Sequence, residues 1–482
     1  MRRGVITRVL HRLHRWTGTV MALLMAVWFA SGAVMTFARY PEYSDAERLA
    51  HSAPLTAAIT EVPPALISWL EQGGLAGGGR ARLSMLEGAP RWILQGERYS
   101  ALRAQPPWGL STLDAGRARA EAERLYGPCR GESKTLQEAD QWTVGRSHPE
   151  SYPLWRIACD DADGLELYVS ARSGELVQQS TRVERTLAWL GPIPHWIYPA
   201  ALRRERALWR DSVLWLSAVG LLVTLSGMFA GVHAAMRGKP SVQRHVYLRW
   251  HQRLGLGFGV FASFWVFSGA LSLEPFHWSS PDTDLARGLS QVSVSPELAP
   301  QLAGALDHCR AQLQDVRELE LVALGHLYAL CSDAAGQTRI VDLADPTLTA
   351  QPRIPDAQLQ ALAREQNADL SIEHAPDAYY YATHTRPIAL PYARLTLHDA
   401  RQTALYIDPA RGQMVAQLDE RTRLERWLYH GLHSWDFAAL YEHRVLWRTL
   451  VIAAMFTGTA LACLGAMIFL RRQRLPRRNA KR

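Results

Sequence analysis

The stretch His14-Arg15-Trp16-Thr17-Gly18 opens an apolar run that continues to Ser31-Gly32-Ala33. The chain repeats this pattern 237 positions later, where His251-Gln252-Arg253-Leu254-Gly255 opens a run that continues to Ser268-Gly269-Ala270. The rest of the sequence is organised around these two runs.

Four apolar runs are long enough to cross a membrane, because about 20 helical residues span a hydrocarbon layer of ~30 Å. Four buried helices of a soluble protein are disfavoured, since charge-free runs of this length are rare in soluble helices. The first run starts like a signal peptide, but its apolar part is longer than the usual limit of about 15 residues. We therefore predict four transmembrane helices at 17–37, 213–233, 254–273 and 446–470.

The charges predict the orientation of these helices. Seventeen of the 53 basic residues lie in the N-terminus, in the short link and in the C-terminal tail, and none of these segments contains an acid. The positive-inside rule places them in the cytoplasm. We expect a bacterial inner-membrane protein whose two long segments lie in the periplasm. The other segments contain the remaining 36 basic residues together with all 45 acids. The net positive charge of the chain therefore reflects its membrane topology, and no nucleic-acid partner is needed to explain it. The expected cytoplasmic segments are 1–16, 234–253 and 471–482, and the expected periplasmic domains are 38–212 and 274–445.

The repeat extends beyond the apolar runs at an offset of 238 residues. Tyr168-Val169 corresponds to Tyr406-Ile407, and Trp209-Arg210 corresponds to Trp447-Arg448. Further equivalent pairs are Arg156 and Arg394, Trp189 and Trp427, His195 and His433, Gly220 and Gly458, and Gly227 and Gly465. The expected fold is therefore an α-helical membrane protein of two tandem repeats, each a helix, an α+β periplasmic domain and a second helix.

Both outer segments carry strand, turn and helix signals. Residues 165–169 and 403–407 alternate as strands do, and Gly174 and Gly412 follow where a hairpin turn requires positive φ. Helices are predicted at 121–125 and 356–365, and amphipathic stretches at 182–196 and 422–435. The aromatic residues Tyr379-Tyr380-Tyr381 and Trp278 are candidates for an outer binding surface, although such residues more often belong to a core or a membrane interface.

The cysteines divide evenly between the two outer segments. Cys129 and Cys159 lie in the first, Cys309 and Cys331 in the second, and Cys463 lies in the fourth apolar run. An oxidising periplasm would allow the bridges Cys129–Cys159 and Cys309–Cys331. The alternative is that all four are unpaired small apolar residues.

Histidines beside membrane spans are the strongest candidates for chemistry. His14 and His251 are repeat equivalents at the cytoplasmic ends of the first and third runs, and His195 and His433 are equivalents before the second and fourth. One symmetric pair at each membrane face suits two non-covalent b-type haems with histidine axial ligands. Close helix packing through Gly18, Gly32, Gly255 and Gly269, which lie on the same helical stripes as His14 and His251, is the structural alternative. His233 competes as an inner ligand, while His11, His245, His384 and His443 are weaker candidates.

Other cofactor and catalytic motifs are missing. The sequence has no Cys-x-x-Cys-His, no Gly-x-Gly-x-x-Gly after a strand, no phosphate loop and no His-Glu-x-x-His. The predicted cytoplasmic segments are too short for a flavin or nicotinamide domain. A cytoplasmic reductase or a membrane quinol would therefore have to donate electrons.

These features together resemble the PepSY-associated transmembrane family: a His-x3-Gly helix that ends in Trp-x2-Ser-Gly, a Tyr-Val/Ile strand with a glycine turn, and a His-bearing stretch before the next helix. The resemblance is weakest over 42–150 and 280–390. It implies an iron-regulated inner-membrane protein similar to haem-containing ferric-siderophore reductases, with His14, His251, His195 and His433 as ligands. The implied partner is a ferric siderophore or another ferric chelate that is reduced in the periplasm.

Two other functions remain open at this point. A PepSY-type periplasmic module on a membrane anchor would bind a peptide or modulate a protease without being an enzyme. A transporter has less support, because the spans lack acidic residues and an evident broken-helix site.

Overall fold

Four long helices dominate the fold. The structure, a computed structural model, describes residues 2–56, 58–96, 100–109, 112–145, 151–236, 246–279, 283–383 and 387–474. The long helices are α1 (Arg2–Met35), α8 (Arg206–Met236), α9 (Val246–Leu271) and α16 (Arg444–Arg474).

The predicted runs 213–233 and 446–470 lie within these helices, whereas 17–37 and 254–273 each end two residues beyond the helix, at Met35 and Leu271. Each helix is long and apolar enough to cross a membrane. The helices extend beyond the predicted spans at several ends, because hydropathy marks only the apolar part while the helix continues through the flanking arginines. Large apolar side chains point outward from them, including Val20, Leu23, Trp215 and Phe456, which are 77%, 75%, 73% and 67% exposed. Such outward apolar faces are typical of lipid contact.

The long helices form a four-membered bundle. Helix α1 packs against α8 and α16, and α9 packs against the same two helices. The helices α1 and α9 thus face each other across the bundle, where Phe29 contacts Phe258 and Trp265 through ring edges. Met21, Met25 and further aromatic side chains complete this buried centre.

Shorter elements fill the two extramembrane segments. The first contains α2 (Asp45–His51), α3 (Pro64–Glu71), α4 (Ala115–Tyr126), α5 (Arg182–Leu190), α6 (Pro192–Trp196), α7 (Ala200–Arg203), β1 (Arg80–Leu86), β2 (Ala89–Gln95), β3 (Ser100–Arg103), β4 (Ser133–Leu136), β5 (Leu154–Ala158), β6 (Glu166–Ser170) and β7 (Leu176–Ser180). The second contains a 3₁₀ helix (Pro275–His277), α10 (Thr283–Leu289), α11 (Leu298–Gln312), α12 (Asp356–Glu365), α13 (Glu420–Glu425), a π-helix (Arg426–Gly431), α14 (Leu432–Ser434), α15 (Ala438–Glu442), β8 (Val316–Leu324), β9 (His326–Asp333), β10 (Thr338–Asp342), β11 (Ala368–Glu373), β12 (Tyr392–Leu397), β13 (Ala404–Asp408) and β14 (Gln413–Leu418).

Each segment has its own four-stranded antiparallel sheet, in the orders β4-β5-β6-β7 and β11-β12-β13-β14. The predicted strands correspond to β6 and β13, and the pairing register shifts at equivalent places, Tyr168/Val169 and Tyr406/Ile407. Gly174 and Gly412 have φ of 81° and 62°, a left-handed backbone that glycine adopts without steric cost. The hairpin prediction is therefore confirmed in both segments.

A third sheet joins the two segments, in contrast to the expectation of one separate domain in each. Its order is β10-β9-β8-β1-β2-β3, and antiparallel pairing of β1 with β8 makes the junction. Buried Arg82 of β1 donates to Glu318 of β8 at 3.1 Å and to Glu175 at 2.7 Å, and Arg48 also bonds Glu318. Alignment of the two repeats does not predict this sheet. Such an alignment matches equivalent residues of the two segments, and it contains no information on which strands of one segment pair with strands of the other.

The structure contains the two bridges Cys129–Cys159 and Cys309–Cys331. Each connects a helix or its C-terminal end to a strand or its end within one segment. Cys463 of α16 is a free thiol.

Candidate functional site

Two histidine pairs lie at different levels of the bundle. In the first, which we call the inner pair, His14 of α1 and His251 of α9 have ring centres 6.2 Å apart. His14 Nδ1 lies 3.0 Å from the Val223 carbonyl oxygen of α8, and His251 Nδ1 lies 3.1 Å from that of Leu461 in α16. Val223 and Leu461 are 238 positions apart, so the two contacts are equivalent.

The second, or outer, pair comes from the short helices that precede α8 and α16. His195 of α6 and His433 of α14 have ring centres 6.1 Å apart. Their Nδ1 atoms lie 3.1 Å and 3.3 Å from the carbonyl oxygens of Trp28 and Trp265. The hydroxyls of Ser31 and Ser268 lie 3.3 Å and 3.2 Å from the same nitrogens.

A sharp turn after each of the short helices positions the outer pair. Ile197 and Trp435, at equivalent positions, both take the left-handed conformation, with φ of 51° and 50°. The indole N–H groups of Trp209 and Trp447 then donate to the carbonyls of Trp196 and Ser434, again at equivalent positions. These bonds anchor each short helix to the long helix that follows it.

The carbonyl partners determine which ring nitrogen carries the proton. A carbonyl oxygen only accepts hydrogen bonds, so Nδ1 of each of the four histidines must donate. Nε2 then keeps its lone pair, and in the part of the chain that the structure describes it has no hydrogen bond in any of the four. Metal-ligating histidines usually show this arrangement, with one nitrogen free and the other donating to a carbonyl.

Glycines allow all four imidazole rings to approach the neighbouring helices closely. A Cβ at Gly227 would lie 2.6 Å from His14 Cε1, and one at Gly465 would lie 3.3 Å from His251 Cε1. At Gly32 and Gly269 it would lie 3.3 Å from Cε1 of His195 and His433, respectively.

Helical periodicity places Gly32 and Gly269 on the same helix faces as His14 and His251. In the structure, however, these glycines contact His195 and His433 of the outer pair. The reason is length, because 18 helical residues separate His14 from Gly32, about 27 Å at 1.5 Å per residue. The same rise puts the Trp28 and Ser31 contacts of His195 about 21 and 26 Å along α1 from His14.

Burial keeps the outer pair neutral. Desolvation lowers the pKa of His195, and it lowers the pKa of His433 to about 4, helped by repulsion from His195. Both imidazoles therefore retain a lone pair at neutral pH, which metal ligation requires.

The remaining candidate histidines do not join either pair. His233 stacks on Phe229 and lies 3.5 Å from the Thr7 hydroxyl, and His443 is exposed. His11 lies one turn before His14 on α1, whereas His245 and His384 lie outside the described residues. No group of three or more His, Cys, Asp or Glu side chains with metal-site geometry occurs in the described part of the chain.

Several residues at this site carry no sequence signal. The carbonyls of Val223, Leu461, Trp28 and Trp265 depend on helix packing, because any residue type supplies the same group. Tyr380 and Tyr381, considered above as an outer surface, are only 3% and 5% exposed and belong to buried clusters.

Comparison with known proteins returns no match, either to a protein-family model or to a curated protein. The resemblance to the PepSY-associated family stays a prediction.

The substitution Gly227→Ala should destabilise the bundle more than Gly465→Ala. The new methyl group would lie 2.6 Å from the His14 ring, against 3.3 Å from the His251 ring at Gly465. Overpacking of this kind typically costs about 1–3 kcal/mol. The midpoint of thermal unfolding in detergent measures it, with Gly465→Ala as the matched control, and equal midpoints would contradict the close approach at Gly227.

Proposed function

We propose that this chain is an inner-membrane electron-transfer protein that binds two b-type haems and reduces the iron(III) of a ferric chelate. The observation that carries the proposal is the pair of equivalent sites in which two imidazoles, one from each half of the chain, have ring centres 6.2 and 6.1 Å apart.

The residues present fit a haem at each pair. Two imidazoles that ligate one metal from opposite sides, each with a metal–nitrogen distance of about 2 Å, have ring centres about 6 Å apart. The free Nε2 atoms are the required ligand type, and the glycines let the imidazole rings pack closely against the helices. His14 and His251 would hold the inner haem, and His195 and His433 the outer one.

A bound haem would supply one-electron transfer through its iron, and the chain would supply orientation and insulation. The Nδ1–H bonds to carbonyls fix the rotation of each imidazole and increase its basicity as a ligand. Phe29, Phe258 and Trp265 fill the region between α1 and α9 and keep it dry. One ligand of each pair comes from each half of the chain, which supports an origin by duplication.

Orientation and substrate follow from the charges. Basic segments near the inner pair favour a cytoplasmic side, which makes 38–212 and 274–445 periplasmic. Electrons from a cytoplasmic reductase or a membrane quinol would enter near His14 and His251 and leave near His195 and His433. A ferric siderophore or similar chelate would accept one electron, and its hard oxygen donors bind the resulting iron(II) less tightly.

A dithionite-reduced minus oxidised spectrum of the purified protein, with a pyridine haemochrome count, tests the proposal. We expect sharp b-type bands and about two haems per chain, and reoxidation of the reduced protein by a ferric chelate. A featureless spectrum from a folded, haem-supplemented preparation would refute it and favour the non-enzymatic PepSY-type binding module.

A further inference from the structure

A buried arginine lies next to the helix that carries His433. Arg426, the first residue of the π-helix, is 7% exposed. Its guanidinium lies over the rings of Tyr381 and Trp427, 4.9 and 5.1 Å from their centres, and Nη2 donates to the Asp436 carbonyl. Nε and Nη1 are buried and have no hydrogen-bond partner in the described chain. The Asp436 carboxylate is 4.0 Å away, so it leaves much of the donor capacity of Arg426 unused.

This arginine is held to the segment that positions His433. It precedes His433 by seven residues, and its acceptor Asp436 follows His433 by three. The Asp436 backbone N–H donates to the His430 carbonyl at 3.3 Å, and the Asp436 carboxylate accepts from the Tyr381 hydroxyl. The rings of Tyr429 and His433 have centres 5.6 Å apart. Arg426 therefore belongs to the same structural unit as His433, one member of the outer pair.

The equivalent position in the first half carries no charge. At the offset of 238, Ala188 takes the place of Arg426, and it is fully buried. Tyr198 takes the place of Asp436. A buried guanidinium with unused donors costs free energy unless a ligand or partner satisfies it. The first half instead places Arg203, from a different sequence position, over the Tyr198 ring at 5.0 Å from its centre.

A second unpartnered donor lies nearby. The indole Nε1 of Trp265 is buried without a hydrogen bond in the described chain, and so is that of its repeat equivalent Trp28. The carbonyls of these two residues contact His433 and His195, respectively. No such donor occurs around the inner pair in the described residues. Unsatisfied N–H groups at one site point to a ligand there that carries acceptors.

We propose that Arg426 binds a carboxylate of the haem held between His195 and His433, an inference that rests on the proposed function. The two propionates are the only anionic groups at the edge of a b-type haem, and a planar guanidinium matches a carboxylate with two parallel hydrogen bonds. Arg426 is thus a positioning residue for the outer haem and has no counterpart at the inner haem.

Haem transfer to excess apomyoglobin tests this without any activity assay. In Arg426→Met, one of the two haems should leave about tenfold faster than from the wild type, because a charge-assisted hydrogen bond is lost. Arg426→Lys should restore part of the retention. The half-buried neighbour Arg423, which donates to the Gln402 carbonyl at 2.6 Å, provides the matched control. Arg423→Met should lose haem at the wild-type rate.

Haem dimethyl ester, which lacks free carboxylates, separates binding from a structural role. It should leave the outer site of the wild type about as fast as haem leaves Arg426→Met, and the variant should not accelerate its loss further. This wild-type comparison stands even if the variant fails to fold. Equal retention of haem and its ester by the wild type, or equal acceleration of both by Arg426→Met, would overturn the inference while the haem count of two left the proposed function intact. Failure of the wild type to bind haem would overturn both.

Discussion

Replacing His195 and His433 together with alanine should reduce the haem content from about two per chain to about one. The two pairs share no residue, and their contacts lie about 21–26 Å apart along α1, so loss of the outer haem should leave the inner one in place. His14→Ala with His251→Ala should likewise remove one haem, and the fourfold variant should bind none. The pyridine haemochrome count of the purified variants measures this, and either double variant should abolish reduction of a ferric chelate.

The controls come from the other histidines of the chain. His233→Ala and His443→Ala should each retain about two haems, because neither ring belongs to a pair. Loss of haem in His233→Ala but not in His251→Ala would move the inner ligand to α8. Retention of two haems by the double variant of His195 and His433 would exclude the outer pair as ligands.

Arg82→Met should destabilise the extramembrane part by about 3–5 kcal/mol, the usual effect of removing one partner from a buried ion pair. Glu175 would lose its charged partner, and of the two ion pairs of Glu318 only the one with Arg48 would remain. Thermal unfolding of the full chain in detergent, monitored by its susceptibility to a protease, measures the loss of stability. The matched control is Arg287→Met, since its pair with Asp284 is exposed and should contribute no more than about 1 kcal/mol.

The same junction predicts a dependence on pH. Burial alone would raise the pKa of the Glu318 carboxyl, but attraction to Arg48 and Arg82 outweighs it, so its pKa is lowered. A lowered folded-state pKa stabilises the fold above the unfolded value near 4.5, and this stability is lost as the pH falls. Wild-type protein should therefore lose stability below about pH 4.5, and Arg82→Met should show a weaker dependence. A parallel loss in both proteins would contradict this role of the junction.

The sequence by itself determined the features that depend on local patterns. Hydropathy located the four long helices, alternation and glycine located β6 and β13 with their turns, and the repeat offset selected His14, His251, His195 and His433. Each of these signals is contained within one element or in a comparison of two similar elements.

Only the tertiary structure decided how these elements meet. It brought together histidine rings that are 237 or 238 residues apart in sequence, and it supplied the carbonyls that assign the protons to Nδ1. It also placed Gly32 and Gly269 beside the outer pair. It also joined the extramembrane segments through β1 and β8, and it buried Arg426 where the equivalent residue is alanine. These outcomes depend on packing between distant parts of the chain, and periodicity and hydropathy describe only neighbours in sequence.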